Sequence, residues 1–233
     1  MSIERNPTPP KLSAKAIRLI TELCFRKDDK PKKTDCIFLF SSSVDVKKHA
    51  RAIEELLSRG ASKKVFISGG LPPKALAKEL GVSGKKFESE MVLALLKRKR
   101  FPGVKFYSER KSSNTYANVT EMLKKPAFRK CKSIFFIFKS HAAGRGYLTL
   151  RKFFPKAQIL QKTVNIKYKK VPETITKKNW HTFPFGRNRV WGEFLRIKRY
   201  GSRGEIEYRS VKKMVERIER ETKFDTRPYL SKI

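Results

Sequence analysis

The chain has 233 residues, 39% of them hydrophobic, with 56 Lys+Arg against 21 Asp+Glu for a formal net charge of +35. That length and apolar content suit one domain with a real core and argue against a disordered chain, while a charge so far beyond what solubility asks rules out indifference to polyanions at low salt. Three scattered cysteines (Cys24, Cys36, Cys131) and three scattered histidines (His49, His141, His181) exclude a disulfide framework and offer no metal-type spacing.

Residues 1–12 form a Pro-containing arm with no apolar stretch of signal-peptide type and no membrane-length span, so the expectation is a soluble intracellular protein, cytoplasmic or particle-associated. The first thirty residues are basic, which leaves an organellar presequence open. Ser13 reads as an N-cap for a helix over 14–25, with Ile17, Ile20 and Cys24 at helical spacing. Residues 35–40 are an almost uninterrupted apolar run, the mark of a strand covered on both faces, and end in Ser41-Ser-Ser43. A helix over about 45–58 follows, closed by Gly60.

The pattern then repeats. A strand over 64–67 ends in Ser68-Gly-Gly70, followed by a loop with Pro72 and Pro73, a short helix around 74–80 and a helix over about 87–98. A strand over 104–108 leads into the polar stretch 109–118 and a helix to about 125. The most apolar strand, 133–138, ends in Lys139-Ser-His141 and precedes a helix over 143–153, and a fifth strand covers 157–160. Residues 163–185 read as irregular or partly paired, 188–200 as a helix ended by Gly201, and 207–223 as a last, charged helix. Four consecutive strand-then-helix units predict an α/β protein: a Rossmann-like three-layer α/β/α fold on a mostly parallel sheet of about five strands, with extra C-terminal helices. The expected organisation is an arm and N-terminal helix over 1–34, the Rossmann-type domain over 35–201, and a C-terminal helix and tail over 202–233.

In a parallel sheet every strand's C-terminal end lies on one edge, where ligands bind. Four loops should therefore meet there: Ser41 and Ser42 after the first strand; Ser68, Gly69 and Gly70 after the second; Glu109, Ser113, Asn114, Thr115 and Asn118 after the third; and Lys139, His141 and Arg145 after the fourth. Polar side chains at a helix N-terminus make a ligand shelf, and paired glycines allow backbone N–H groups to approach a ligand. Glu90, on the helix after the Gly-Gly turn, adds a carboxylate. Glu90, Glu109 and His141 are the candidates for proton transfer, although no nucleophile–base pair is legible and methyl transfer, hydrolysis and simple binding all stay open. There is no Gly-x-Gly-x-x-Gly, no Walker-type Gly-Lys-Ser/Thr and no Gly-x-Ser-x-Gly elbow, which argues against ordinary dinucleotide, P-loop and α/β-hydrolase chemistry.

These residues resemble the YdcF-like family, also called the SanA and ElyC group or domain of unknown function 218. The text that carries the resemblance is Phe66-Ile-Ser-Gly-Gly70, Ser89-Glu90, Glu109 with Ser113-Asn-Thr-Tyr-Ala-Asn118, Ser140-His141 with Arg145, and Gly192-Glu-Phe-Leu-Arg196, over roughly residues 35–201. Departures are Ser41-Ser-Ser43 where the family commonly has a glycine, Met91 in place of the usual alanine, and a His-to-Arg spacing of four residues. The resemblance implies a small polar or nucleotide-type ligand, with S-adenosylmethionine suggested for part of the family, and no defined reaction. The competing expectation comes from the charge. Basic runs at 30–33, 97–100, 124–132, 167–170 and 196–203 suit a scaffold component of a nucleoprotein particle, viral or organellar, binding RNA or DNA through a diffuse positive surface. Trp180 and Trp191 read as core or cover residues, with stacking of Trp180 on a base as the alternative.

Overall fold

The computed structural model describes residues 6–71, 86–168, 171–226 and 228. The expected short helix around 74–80 and the Pro72-Pro73 loop lie outside the described residues. Five strands, β1 (Cys36–Phe40), β2 (Lys64–Ser68), β3 (Lys105–Glu109), β4 (Ser133–Lys139) and β5 (Gln158–Val164), form one sheet in the order β3-β2-β1-β4-β5 with every pairing parallel. The fold is thus the expected Rossmann-like α/β arrangement. The order reverses between β1 and β4, where the chain leaves β1 for β2 on one side and returns from β3 to β4 on the other. That reversal opens a crevice at the strands' C-terminal ends.

The alternation of side chains along each strand builds a core on either face. Ile37, Leu39, Val65, Ile67, Phe135 and Ile137 enter one apolar cluster with α2 (Val46–Ser58) and α3 (Glu88–Leu95). Phe38, Phe40, Phe66, Phe136 and Phe138 enter the other, with α4 (Thr115–Leu123), α5 (Pro126–Arg129) and part of α6 (Ala143–Phe153). This second core is aromatic: Phe38, Phe66 and Phe154 each pack on Phe128, with ring centroids 4.9, 5.0 and 5.2 Å away. Each such buried side chain is worth about 1.5–3 kcal/mol relative to exposure. Because both faces are covered, the strands read as continuous apolar runs instead of alternating ones.

The first and last helices join the same core. α1 (Ala14–Cys24) is capped by Ser13, whose Oγ accepts from Ala16 N, and it packs Leu19, Ile20 and Leu23 against α7 (Pro184–Ser202) and α8 (Lys212–Thr222). Residues of 12–25 and of 206–224 therefore build one hydrophobic cluster with the sheet. The segment after α1 covers the β5 edge, with Asp29 N donating to Gln161 O and the Asp28 and Asp29 carboxylates accepting from Thr163 N and Gln161 N. Such cover removes an open strand edge. α7 starts a turn earlier than the apolar pattern predicts, because Pro184 occupies its first turn, where no N–H is needed. Gly201 does not end it: a side chain there would meet the Tyr208 ring at 2.2 Å, and the left-handed terminator is Gly204 at φ +67°. Trp180 is fully buried and donates from Nε1 to Thr21 Oγ1 at 2.8 Å, so it is a core residue and presents no face to a base. Among the described residues no helix is long and apolar enough to cross a membrane.

Candidate functional site

A cavity of about 190 Å³ opens at the C-terminal edge of the sheet. Ser41 and Ser42 reach it from the loop after β1, Leu71 from the loop after β2, and Glu88 from the first turn of α3. The loop after β3 and the start of α4 supply Ser112, Ser113, Asn114, Thr115 and Asn118; β4 and α6 supply Phe138, Lys139 and Arg145. The remaining wall is α7, which presents Arg189, Glu193, Arg196 and Tyr200. Those four stand at i, i+4, i+7 and i+11, one stripe of a helix.

The charges are organised around Glu193, which is almost completely buried. Its Oε2 accepts from Arg145 Nε at 2.8 Å and its Oε1 from Arg196 Nη1 at 3.1 Å. Burial alone would push this carboxyl up, but the two guanidinium groups hold it well below the usual carboxylate range. Burial likewise works against the Arg145 cation, and Glu193 more than compensates, raising its pKa; Arg196 is left lowered to about 10 by desolvation. Arg145 also donates to Thr115 Oγ1 and lies 5.6 Å from the Phe138 and Tyr200 ring centroids, so its position is over-determined. On the opposite wall Glu88 accepts from Ser43 N at 2.9 Å, fastening the first loop to α3.

Lys139 is the perturbed group. Its Nζ lies 3.4 Å from Ser42 Oγ, and burial, followed by the neighbouring Arg189 charge, lowers its pKa from 10.5 to about 7. Ser41 Oγ, in a side chain 6% exposed on the cavity wall, has no hydrogen-bond partner among the described residues.

Several expected site residues lie elsewhere, each for a physical reason. Glu109 is buried and its oxygens are spent: Oε1 accepts from Ser68 Oγ and from Ser112 Oγ at 2.5 Å, and Oε2 accepts from Lys111 N at 2.8 Å and Ser112 N at 3.0 Å. Glu109 and Ser68 thus form a brace under the floor, and neither lines the cavity. Gly69 and Gly70 are required by close loop packing, and neither lines the cavity. A Cβ at Gly69 would meet Ser41 Cβ at 2.7 Å, one at Gly70 would meet Ser112 O at 2.2 Å, and Gly70 N already donates to that carbonyl. Glu90 points away from the cavity to a half-exposed pair with Arg110 at 3.0 Å, and Glu88 takes the place expected of it. His141 is fully buried behind the wall, 3.4 Å from the Tyr168 hydroxyl; burial, then the Arg189 charge, depresses its pKa well below the ordinary value, so it is neutral and contributes no cation. Asn114 does line the cavity, but its Oδ1 caps α4 by accepting from Ala117 N at 2.9 Å. Of the expected residues, Ser41, Ser42, Ser113, Asn114, Thr115, Asn118, Lys139 and Arg145 come together.

Arg189, Glu193, Arg196 and Tyr200 were not among the expected site residues, although Glu193 and Arg196 stand in the Gly192-Glu-Phe-Leu-Arg196 text that carries the resemblance. That text and the helical spacing of the four were the available signals. Among the described residues no cluster of three or more His, Cys, Asp or Glu side chains has the makings of a metal site. No protein-family model matches the chain, and none of the curated proteins matches it either.

Proposed function

We propose that this protein binds a small anionic ligand, of phosphate-bearing or nucleotide type, in the cavity at the C-terminal edge of the sheet, in keeping with the resemblance to the YdcF-like family. The observation that carries this reading is the charge balance of the wall: Lys139, Arg145, Arg189 and Arg196 converge on it against two carboxylates, Glu88 and Glu193. An anion entering there meets fixed cations in a partly desolvated space, together with the Ser41 hydroxyl and the N-terminus of α4. S-adenosylmethionine, with its sulfonium cation, is a poorer match to that balance. A cavity of about 190 Å³ suits a phosphoryl or carboxylate head with a small body, and a nucleotide base would extend out of it.

The reading is one of binding. Ser42 and Lys139 are the one hydroxyl–amine pair described on the wall, but a bound anion keeps Lys139 protonated, as a donor and not as a base. Calorimetric titration with inorganic phosphate, AMP, ADP and S-adenosylmethionine tests the proposal. Phosphate-bearing ligands should bind, and Arg189→Ala should weaken them by at least about tenfold, the loss of one charge-assisted contact. Tighter binding of S-adenosylmethionine than of AMP, or indifference to Arg189, would count against it.

A further inference from the structure

Three of the basic runs that are spread along the sequence, 30–33, 97–100 and 124–132, contribute to one edge in space. Every strand has an exposed lysine at its start or within three residues before it: Lys33 ahead of β1, Lys63 ahead of β2, Lys105 opening β3, Lys132 ahead of β4 and Lys156 ahead of β5. Because all five strands are parallel, these positions share the N-terminal edge of the sheet, opposite the cavity. Backbone hydrogen bonds tie the edge together: Thr34 N to Ala61 O at 2.8 Å, Lys105 N to Lys63 O at 2.9 Å, Asp35 N to Ser133 O at 3.1 Å and Gln158 N to Lys132 O at 2.9 Å. At about 4.8 Å between strands the row extends roughly 19 Å.

The helices run back against the strands and deliver their C-terminal ends to the same edge. Arg59 follows α2, the Lys-Arg-Lys-Arg run at 97–100 follows α3, Lys124 follows α4, and Lys152 lies in the last turn of α6, all exposed. Cations at helix ends complement the macrodipole, which accounts for some of these but not for the lysines at strand starts. The one carboxylate in the strand-start segments, Asp35, accepts from Lys132 N at 2.7 Å and Ser133 N at 3.0 Å, fixing strand register. Among the described residues only Lys124 of these cations has an ion-pair partner, Glu121 at 2.7 Å. Like charges held this close repel one another and oppose the compact state. A polyanion relieves that repulsion.

We propose that this N-terminal sheet edge binds the phosphate backbone of a duplex nucleic acid without reading its sequence. The row is rigid, being set by the strand ends, and it presents lysines as point charges, which suits a regular array of phosphates. Among the described residues no aromatic side chain is exposed to serve as the stacking platform that holds single strands; the large apolar side chains exposed there are Leu71 and Leu95. Of these only Leu95, at the end of α3, lies near the edge, which is too little for the apolar belt that a lipid surface needs beneath its cations. The inference is independent of the cavity, which faces the other way.

The test is fluorescence anisotropy with a labelled mixed-sequence DNA duplex of about 25 base pairs, the matching single strand, and the full chain, between 50 and 200 mM NaCl. Contact with about five phosphates gives a slope of log K against log salt near −4.5, or about a 500-fold loss across that range. The triple variant Lys63→Gln, Lys105→Gln, Lys132→Gln should weaken duplex binding at least tenfold and reduce the slope by about 3. A control with the same charge change elsewhere, Lys177→Gln, Lys178→Gln, Lys213→Gln, should leave both unchanged. Equal losses in the two triples would show that diffuse charge is responsible and overturn the proposal. So would a flat salt response of the unmodified protein, or tighter binding of the single strand than of the duplex.

Discussion

Lys139 should make anion binding depend on pH in a direction its surroundings dictate. In the unliganded protein burial and Arg189 hold its pKa near 7, so the ammonium is half formed at pH 7 and about one part in a hundred is charged at pH 9. An anion in the cavity favours the charged form, so binding draws in a proton above pH 7. Affinity should therefore be greatest below pH 7 and fall by about 50-fold between pH 7 and 9, levelling once the pKa of the complex is passed. Sulfate is the right probe, because its own charge is constant over this window, and calorimetry at several pH values in buffers of different ionisation enthalpy reads both affinity and proton uptake. His141 and His49 do not confuse the profile: burial depresses both, His49 to about 4, so they stay neutral throughout. Lys139→Arg should retain affinity and abolish the slope, and Lys139→Gln should lower affinity at pH 6 and also abolish it. A slope that survives in Lys139→Gln, or a flat profile in the unmodified protein, would refute the reasoning. The same shift has a stability counterpart: between about pH 7 and 10.5 the unfolded chain holds a proton that the folded one has released, so the Lys139 contribution to stability rises with pH across that window.

Glu193→Gln removes the counter-charge shared by two buried arginines and should destabilise the fold by about 3 kcal/mol, seen as a melting temperature lower by roughly 6–12 °C in scanning calorimetry. Glu109→Ala takes the carboxylate from the Ser112 hydroxyl and two backbone N–H groups beneath the cavity floor, while the Ser68 hydroxyl keeps Asn118 O as an acceptor; it should lower stability by about 2–4 kcal/mol in urea unfolding, and the folded fraction should still bind phosphate with near-normal affinity. Loss of affinity at unchanged stability would make Glu109 a ligand residue after all. Gly70→Ala places a methyl group 2.2 Å from Ser112 O and should cost about 1–3 kcal/mol, which the denaturation midpoint reads directly.

The sheet was legible because burial on both faces writes an unmistakable pattern. Residues 35–40 and 133–138 are apolar almost without a break, and each is followed by polar residues that open the next loop. The loop residues were legible for a topological reason: parallel strands send all their C-terminal ends to one edge, so Ser41, Asn114, Lys139 and Arg145 had to be neighbours. Their division of labour was not legible. Whether a carboxylate faces a cavity or braces its floor depends on a side-chain direction, and Glu88 rather than Glu90 reached the wall because α3 turns by about 100° per residue.

Composition, strand order along the chain and the strand-then-helix rhythm by themselves determined the layer architecture and which edge carries the polar loops, since both follow from periodicity and from the handedness of parallel crossovers. Only the tertiary structure decided that α7 closes that edge with Arg189, Glu193 and Arg196, that Lys139 is buried and beside a guanidinium, which together lower its pKa, and that lysines far apart in the chain align at the opposite edge. Electrostatic effects of this kind depend on distance and desolvation between residues that the linear order keeps apart, and neither exists until the chain has folded.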